Sequence, residues 1–286
     1  MYLPLLQVVV TAGILVGALS IWGGGPFVAA ASVLTWPAAT GALLLGAIGV
    51  LVQAQRWRLV ARAQGIEVGA TAAVGRCWQA AFTNAVLPGG LAGDAVRALE
   101  QRAENGLPRR EALKRSLGAV SAERLAGTSV VFLAAGVALL GLKPVAATVG
   151  LTLAAAAVAL GWPWLRRLPG RHAGGVAVLS VLGWSAFAAM FYLAAGAVAP
   201  GLPAGHLPAL AAITLAGMSI PLNLAGWGPR EGAAALGFAV LGHTAEQGVA
   251  VSVAYGLLAL ISVLPGGLVL AWRAVRAARL GRGAPR

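Results

Sequence analysis

Long apolar segments dominate this sequence and restrict it to one class of fold. Six of them have about the 20 residues that an α-helix needs to cross a bilayer. They cover residues 3–22, 38–56, 116–141, 145–165, 174–199 and 246–272. Only 10% of the residues are charged, against about 25% in soluble domains. The sequence therefore predicts an all-α polytopic membrane protein.

Two further apolar segments, 70–95 and 208–242, are each interrupted near the middle by a copy of a repeated motif. Residues 87–97, LPGGLAGDAVR, align without a gap on residues 220–230, IPLNLAGWGPR, with Pro, Leu, Ala, Gly and Arg in the same five places. Irregular backbone at membrane depth is tolerated only where protein or water surrounds it. We therefore predict two re-entrant helical hairpins in addition to about six full spans.

The basic residues predict how the chain is oriented. Clusters of Arg follow the second span, the first hairpin, the fourth span and the last span, and all reach one face only if both interrupted segments are re-entrant. The positive-inside rule makes that face cytoplasmic, together with both termini. Within a single membrane domain, the halves 1–142 and 143–286 then each contain span, span, hairpin and span in opposite orientation, as in many secondary transporters. The alternative, eight full spans with kinks, leaves one basic cluster on the wrong face.

The same charges indicate the location and partners of the protein. A net charge of +13 suggests nucleic acid in a soluble protein, but here the basic clusters flank membrane spans and favour anionic lipid headgroups. Arg56 follows the second span, and Trp57 beside it is expected in the inner interfacial belt. An excess of Arg over Lys, with abundant Ala and Gly, indicates a GC-rich bacterial genome. We expect a multi-pass protein of the bacterial cytoplasmic membrane that binds no nucleic acid.

Charged residues within the membrane segments are the candidate functional groups, because ionisable side chains there face the interior of the bundle. They are Asp94, Arg97, Glu123, Arg124, Arg230 and Glu231. Asp94 is predicted to be the N-cap of a short helix, with Arg97 one turn inside it. Arg97 alternatively anchors the inner surface or pairs with Glu100.

Glu123 and Arg124 are adjacent on a predicted helix and therefore point in different directions. We expect Arg124 to reach Asp94, and Glu123 to reach Arg97 or Arg230. Two roles stay open for this dipeptide: a structural tie between the span and a hairpin, or a part of the substrate path.

Arg230 is the only Lys or Arg between Arg171 and Arg273. Pro229 before it suits the first turn of a half-helix, whose free N–H groups attract anions. Arginine adds a planar fork that fits phosphate oxygens. We expect Glu231 either to neutralise Arg230 when no substrate is bound or to support its orientation. The alternative is an Arg–Glu pair that only stabilises the fold.

Three other residues complete the candidate site. Trp227 does not fit an interfacial belt, while Asn84 and Asn223 lie beside the two breaks. The amides either bind the substrate or satisfy backbone groups that the breaks expose.

The sequence contains no pattern for catalysis or for a metal. Cys77 is the single cysteine, the histidines lack ligand spacing, and neither GxSxG nor the phosphate-binding GxxxxGK[ST] pattern occurs. We expect no enzyme activity, no cofactor and no metal.

These motifs also carry a family resemblance. Residues 87–97, Glu123-Arg124 and 226–231 resemble the lysylphosphatidylglycerol synthase transmembrane family over residues 40–275. The resemblance implies a lipid-flipping module, which in some members precedes a cytoplasmic aminoacyltransferase domain. Because the chain stops at Arg286, we expect the flippase-like module without the synthase domain.

The leading hypothesis is a translocase for a phosphate-bearing lipid, either an anionic or an aminoacylated phospholipid, with Arg97 and Arg230 binding the headgroup from the two hairpins. The first alternative is a flippase for a polyprenyl phosphate or a polyprenyl-phosphate-linked sugar. The second is an intramembrane enzyme that acts on lipid phosphates. A separate lipid-modifying synthase or glycosyltransferase is an expected partner in the translocase hypotheses.

Overall fold

The computed structural model describes residues 2–87, 91–103, 108–220 and 226–282, and every regular element in these ranges is an α-helix. The helices are α1 Tyr2–Trp22, α2 Gly25–Ala31, α3 Trp36–Ala63, α4 Ala70–Val86, α5 Ala92–Ala103, α6 Arg109–Leu139, α7 Pro144–Leu165, α8 Gly170–Val198, α9 Leu207–Met218, α10 Pro229–Val240 and α11 Ala245–Arg282. The predicted fold class, an all-α polytopic membrane protein, is confirmed.

Five helices, α3, α6, α7, α8 and α11, are long and apolar enough to cross a membrane. The first predicted span, 3–22, coincides with α1, and Thr11–Trp22 of this helix forms a pair with α2 that is bent by 101°. Gly23 has a φ of 65° and gives the chain this turn, since residues other than glycine rarely adopt such a backbone. The described part of the chain therefore has five candidate spans, or six if the bent pair counts as one.

Two pairs of short helices occupy the interrupted segments. Helices α4 and α5 pack against each other, as do α9 and α10. The breaks at 88–90 and 221–225, and Asn223 with them, lie outside the described residues. The order long helix, two short helices, long helix thus occurs twice, as α3 to α6 and as α8 to α11. The opposite membrane orientation of the halves and their boundary in the turn between α6 and α7 stay predictions.

Glycines allow the hairpins and spans to pack closely. A Cβ on Gly93 in α5 would lie 2.3 Å from the carbonyl oxygen of Ala80 in α4, and a Cβ on Gly46 in α3 would lie 2.5 Å from Cβ of Ser262 in α11. Helix association in lipid depends on such close backbone approach, because lipid tails are as apolar as the side chains. Close packing thus holds α5 against α4, and α3 against α11.

Candidate functional site

Asp94 is the centre of the charged cluster at the first hairpin. It does not cap its helix as predicted: α5 begins two residues earlier, and Asp94 lies in the first turn. Asn84 on α4 instead supplies the acceptor for this end of the helix, because its Oδ1 accepts from the N–H of Gly93 at 2.7 Å. The Asp94 carboxylate pairs with Arg124, and its Oδ1 lies 2.9 Å from Nη2 of Arg97.

Glu123 on α6 connects the hairpin to the spans. Its side chain is fully buried; Oε2 accepts from Nη2 of Arg97 at 3.0 Å, and Oε1 accepts from Nε of Arg56 at 2.9 Å. The predicted pairs Arg124–Asp94 and Glu123–Arg97 are therefore confirmed. Arg97 itself is buried, and its guanidinium lies 4.6 Å from the ring centroid of Trp57.

Arg56 was predicted after the second span and Trp57 in the inner interfacial belt, but both side chains are buried inside the helix bundle. Helix α3 continues to Ala63, so both residues lie inside it, where Trp57 is only 1% exposed. Nη1 of Arg56 also donates to Oγ of Ser180 on α8 at 3.1 Å. A signal was present in the sequence, since Trp57, Val60 and Ala61 form an apolar stripe with helical spacing, and all three are buried.

The second hairpin places Arg230 through an unusual backbone. Gly226 and Gly228 have φ values of 82° and 98°, and a Cβ on Gly228 would lie 2.9 Å from Thr11 on α1. Only glycine fits both constraints. Helix α10 then begins at Pro229, which confirms the predicted position of this residue in the first turn. Arg230 follows directly and is 2% exposed.

Glu231 neutralises Arg230 and also caps α10. Its Oε1 lies 2.6 Å from Nη2 of Arg230, and its Oε2 accepts from the N–H of Gly228 at 2.7 Å. Nε of Arg230 donates to Oγ of Ser252 on α11 at 3.1 Å. The N–H of Gly228, which lies at the helix end where the sequence suggested an anion, is thus bonded to the protein's own carboxylate.

Aromatic rings and a glycine surround the Arg230 guanidinium. It lies 4.7 Å from the ring centroid of Trp227 and 5.4 Å from that of Tyr255. A Cβ on Gly256 would lie 2.3 Å from Nη2 of Arg230. The repeat offset of 133 residues places Gly256 at the position of Glu123. Where the first half has the Glu123 carboxylate beside Arg97, the second half therefore has a glycine, and the Arg230 guanidinium and the Trp227 ring pack against it.

A cavity of about 390 Å³ lies between the two hairpins. Helices α3, α4, α6, α8, α9, α10 and α11 contribute to its wall, and its lining includes Arg56, Asn84, Glu123, Arg124, Trp227 and Arg230. Five predicted site residues thus meet in one space. Asp94, Arg97 and Glu231 do not line it and contact the residues that do.

The charge of this site favours an anion. Three guanidiniums, of Arg56, Arg97 and Arg124, share the carboxylates of Asp94 and Glu123, which leaves one net positive charge in this cluster. Arg124 is the most accessible of the cavity arginines, with 39% of its side chain exposed against 11% for Arg56 and 3% for Arg230. Within the described ranges, no three His, Cys, Asp or Glu side chains are placed to hold a metal ion.

Comparison with known proteins identifies the family. No curated protein sequence matches the chain. The family described as the lysylphosphatidylglycerol synthase TM region matches residues 5–176, more than half of the sequence. The match includes the first hairpin and Glu123-Arg124, whereas the resemblance of the motifs extended to the second hairpin. The chain belongs to the lysylphosphatidylglycerol synthase transmembrane family, a family of membrane domains.

Proposed function

We propose that this protein is a lipid flippase, which moves a phosphate-bearing lipid between the membrane leaflets. The observation that carries the proposal is the cavity between the hairpins, which is lined by Arg56, Arg124 and Arg230. Guanidinium groups bind phosphate oxygens through two parallel hydrogen bonds, and they do so most strongly away from water. Membership in a family of membrane domains supports a role at the lipid bilayer.

The geometry divides the arginines between two roles. Arg124 on α6 lines the cavity next to the first hairpin, and Arg230 lines it from α10 of the second hairpin. Both would contact the headgroup. Arg97 was expected to contact it too, but its side chain is fully buried behind Glu123. We therefore assign Arg97 to positioning Glu123 and Asp94, and Arg124 takes the substrate contact on this side.

Both arginines that would contact the headgroup have a carboxylate partner within the protein. Asp94 pairs with Arg124, and Glu231 pairs with Arg230. An incoming phosphate would bind the exposed part of the Arg124 guanidinium while Asp94 stays paired, so that the phosphate charge is neutralised as the headgroup crosses and the acyl chains stay in the bilayer. In this proposal no covalent bond is broken. Because the sequence has no phosphate-binding GxxxxGK[ST] pattern, transport would be downhill or coupled to an ion.

Flipping in proteoliposomes tests these assignments. Phosphatidylglycerol and a polyprenyl phosphate are supplied separately to wild type, Arg124→Ala, Arg230→Ala and the control Arg171→Ala, which alters an exposed arginine at the start of α8. We expect the two cavity variants to flip at least about tenfold more slowly, as for loss of a charged hydrogen bond, and the control to match wild type. Full flipping by both folded cavity variants would contradict the proposal.

A further inference from the structure

Two buried polar groups at the cavity lack a hydrogen-bond partner in the described part of the protein. The hydroxyl of Tyr255 and Nε1 of Trp184 are buried, and neither has a hydrogen-bond partner among the described residues. Both residues line the cavity, and Tyr255 is 0% exposed. Buried polar atoms without partners are rare in folded proteins because they lose their bonds to water. These two therefore indicate that a ligand completes the site.

The chemistry of the two groups limits what they bind. The indole N–H of Trp184 only donates, whereas the hydroxyl of Tyr255 donates and accepts. Hydroxyl and ether oxygens of a polyol or a sugar match both groups. An ammonium group cannot pair with an indole N–H, because both are donors only.

The charged groups that line the cavity also disfavour an ammonium headgroup. Among the described lining residues, Glu123 is the one carboxylate, and both its oxygens accept from arginines. Aromatic faces can bind a cation instead, but those of Trp227 and Tyr255 already stack on Arg230. A positively charged headgroup would meet three guanidiniums without a free counter-charge.

The net charge of the cluster indicates whether the phosphate is a monoester or a diester. Arg56, Arg97 and Arg124 exceed Asp94 and Glu123 by one charge, and Arg230 is balanced by Glu231. One negative charge, that of a phosphodiester, neutralises this excess. A phosphomonoester carries about 1.5 to 2 negative charges at pH 7 and would overcompensate it.

We propose that the headgroup bound in this cavity is a phosphodiester that bears hydroxyl groups, a polyol or a sugar, and that headgroups with an ammonium group are excluded. This inference rests on the proposed function and selects the cargo within it. The phosphate would lie between Arg124 and Arg230, and the hydroxyl groups would bond Trp184 and Tyr255. Aminoacylated phospholipids, which the sequence analysis included, are then poor substrates.

Equilibrium binding to the purified full chain in detergent tests the headgroup directly. Dioctanoyl phosphatidylinositol, phosphatidylglycerol, phosphatidylethanolamine and lysylphosphatidylglycerol are titrated calorimetrically. We expect the first two to bind at least about tenfold more tightly than the last two, as for an unpaired buried charge or donor. Equal affinity for phosphatidylethanolamine or lysylphosphatidylglycerol, or no binding of any of the four, would overturn the inference.

Two conservative variants test the polar groups. Tyr255→Phe and Trp184→Phe each remove one polar group and keep an aromatic ring. We expect each to weaken phosphatidylinositol binding about five- to tenfold, the effect of one lost hydrogen bond. Binding of dioctanoyl phosphatidylmethanol, a phosphodiester without hydroxyl or ammonium groups, should not change and shows that the site is folded. The exposed positions Tyr192→Phe and Trp36→Phe serve as matched controls.

The results separate this inference from the proposed function. Unchanged phosphatidylinositol affinity in both variants would overturn the inference. Selective binding without flipping in proteoliposomes would support the headgroup assignment and contradict the flippase. Flipping that is equally fast for all four headgroups would support the flippase and overturn the headgroup assignment.

Discussion

Arg97 and Arg230 occupy corresponding positions in the two halves but have different surroundings. Arg97 is held by Asp94 and Glu123 and is fully buried. Arg230 lines the cavity, because Gly256 stands where the repeat would place the counterpart of Glu123. The glutamate of the first half and the glycine of the second thus give the two arginines different neighbours.

Substitution of Gly256 should therefore impair the site without changing its charges. In Gly256→Ala, the Cβ would lie 2.3 Å from Nη2 of Arg230 and 2.8 Å from the Trp227 ring, so the guanidinium must move. We expect about tenfold weaker binding of phosphatidylglycerol, measured calorimetrically, since overpacking typically costs about 1–3 kcal/mol. Gly174→Ala, at a position with open space around it, is the matched control. Wild-type affinity in Gly256→Ala would contradict this reading of the site.

The burial of Glu123 predicts that this residue contributes strongly to the stability of the protein. Glu123→Gln would leave the guanidiniums of Arg56 and Arg97 buried without this counter-charge. Breaking a buried pair in this way destabilises a protein by about 3–5 kcal/mol, and we expect a clear fall in the thermal midpoint in detergent. Glu111→Gln, at an exposed pair with Arg115 on the same helix, should leave the midpoint unchanged. Equal midpoints for both variants would show that Glu123 does not hold the cluster together.

At the scale of helices, much of the fold was predictable because hydropathy and breaks are local signals. The full spans from α3 onward and both interrupted segments follow from runs of apolar residues and from Pro and Gly. The bend between α1 and α2 was missed, since an average over about 20 residues does not register a turn at Gly23. The burial of Arg56 was missed as well, because charge near a helix end resembles an interfacial anchor until tertiary partners are known.

The candidate site also has features that the sequence predicts and features that it does not. Ion pairs between neighbouring elements, such as Arg124–Asp94, were predictable from charge and topology. The alternative that Glu123 pairs with Arg97 rather than Arg230 depended on which hairpin packs nearer to α6. The unpartnered atoms of Trp184 and Tyr255 have no signature in the sequence, because satisfaction of a polar group is a property of the packed bundle.

The two hairpins should open to opposite sides of the membrane. Single cysteines are introduced before each hairpin, as Gly69→Cys and Gly205→Cys, in a Cys77→Ser background that removes the one native thiol. We expect a membrane-impermeant maleimide added outside to label Gly205→Cys, and Gly69→Cys to react only after permeabilisation. Lys143→Cys and Arg171→Cys mark the predicted outer and inner faces. Labelling of both hairpin positions from one side would contradict the inverted arrangement.

At the scale of the whole molecule, two hairpins and the long helices enclose a charged cavity in a largely apolar bundle. Small residues at the helix contacts allow this arrangement, and large apolar side chains such as Ile21 and Leu268 remain exposed toward lipid. Burying charged groups costs desolvation free energy. In the cluster, two carboxylates neutralise two of the three arginines, which leaves one net positive charge. Lipid transport would explain why a net positive charge is kept inside the bundle, because this charge can bind a lipid phosphate.

Transbilayer movement of a labelled phospholipid is the most direct test of this account. Wild-type protein is reconstituted at about one copy per vesicle with fluorescent phosphatidylglycerol, and an impermeant reductant is added outside. If the protein is a flippase, the reductant should bleach nearly all of the fluorescence in vesicles that contain protein, and about half of it in vesicles that do not. Bleaching that stops at half in both populations, with folded protein present, would contradict the account.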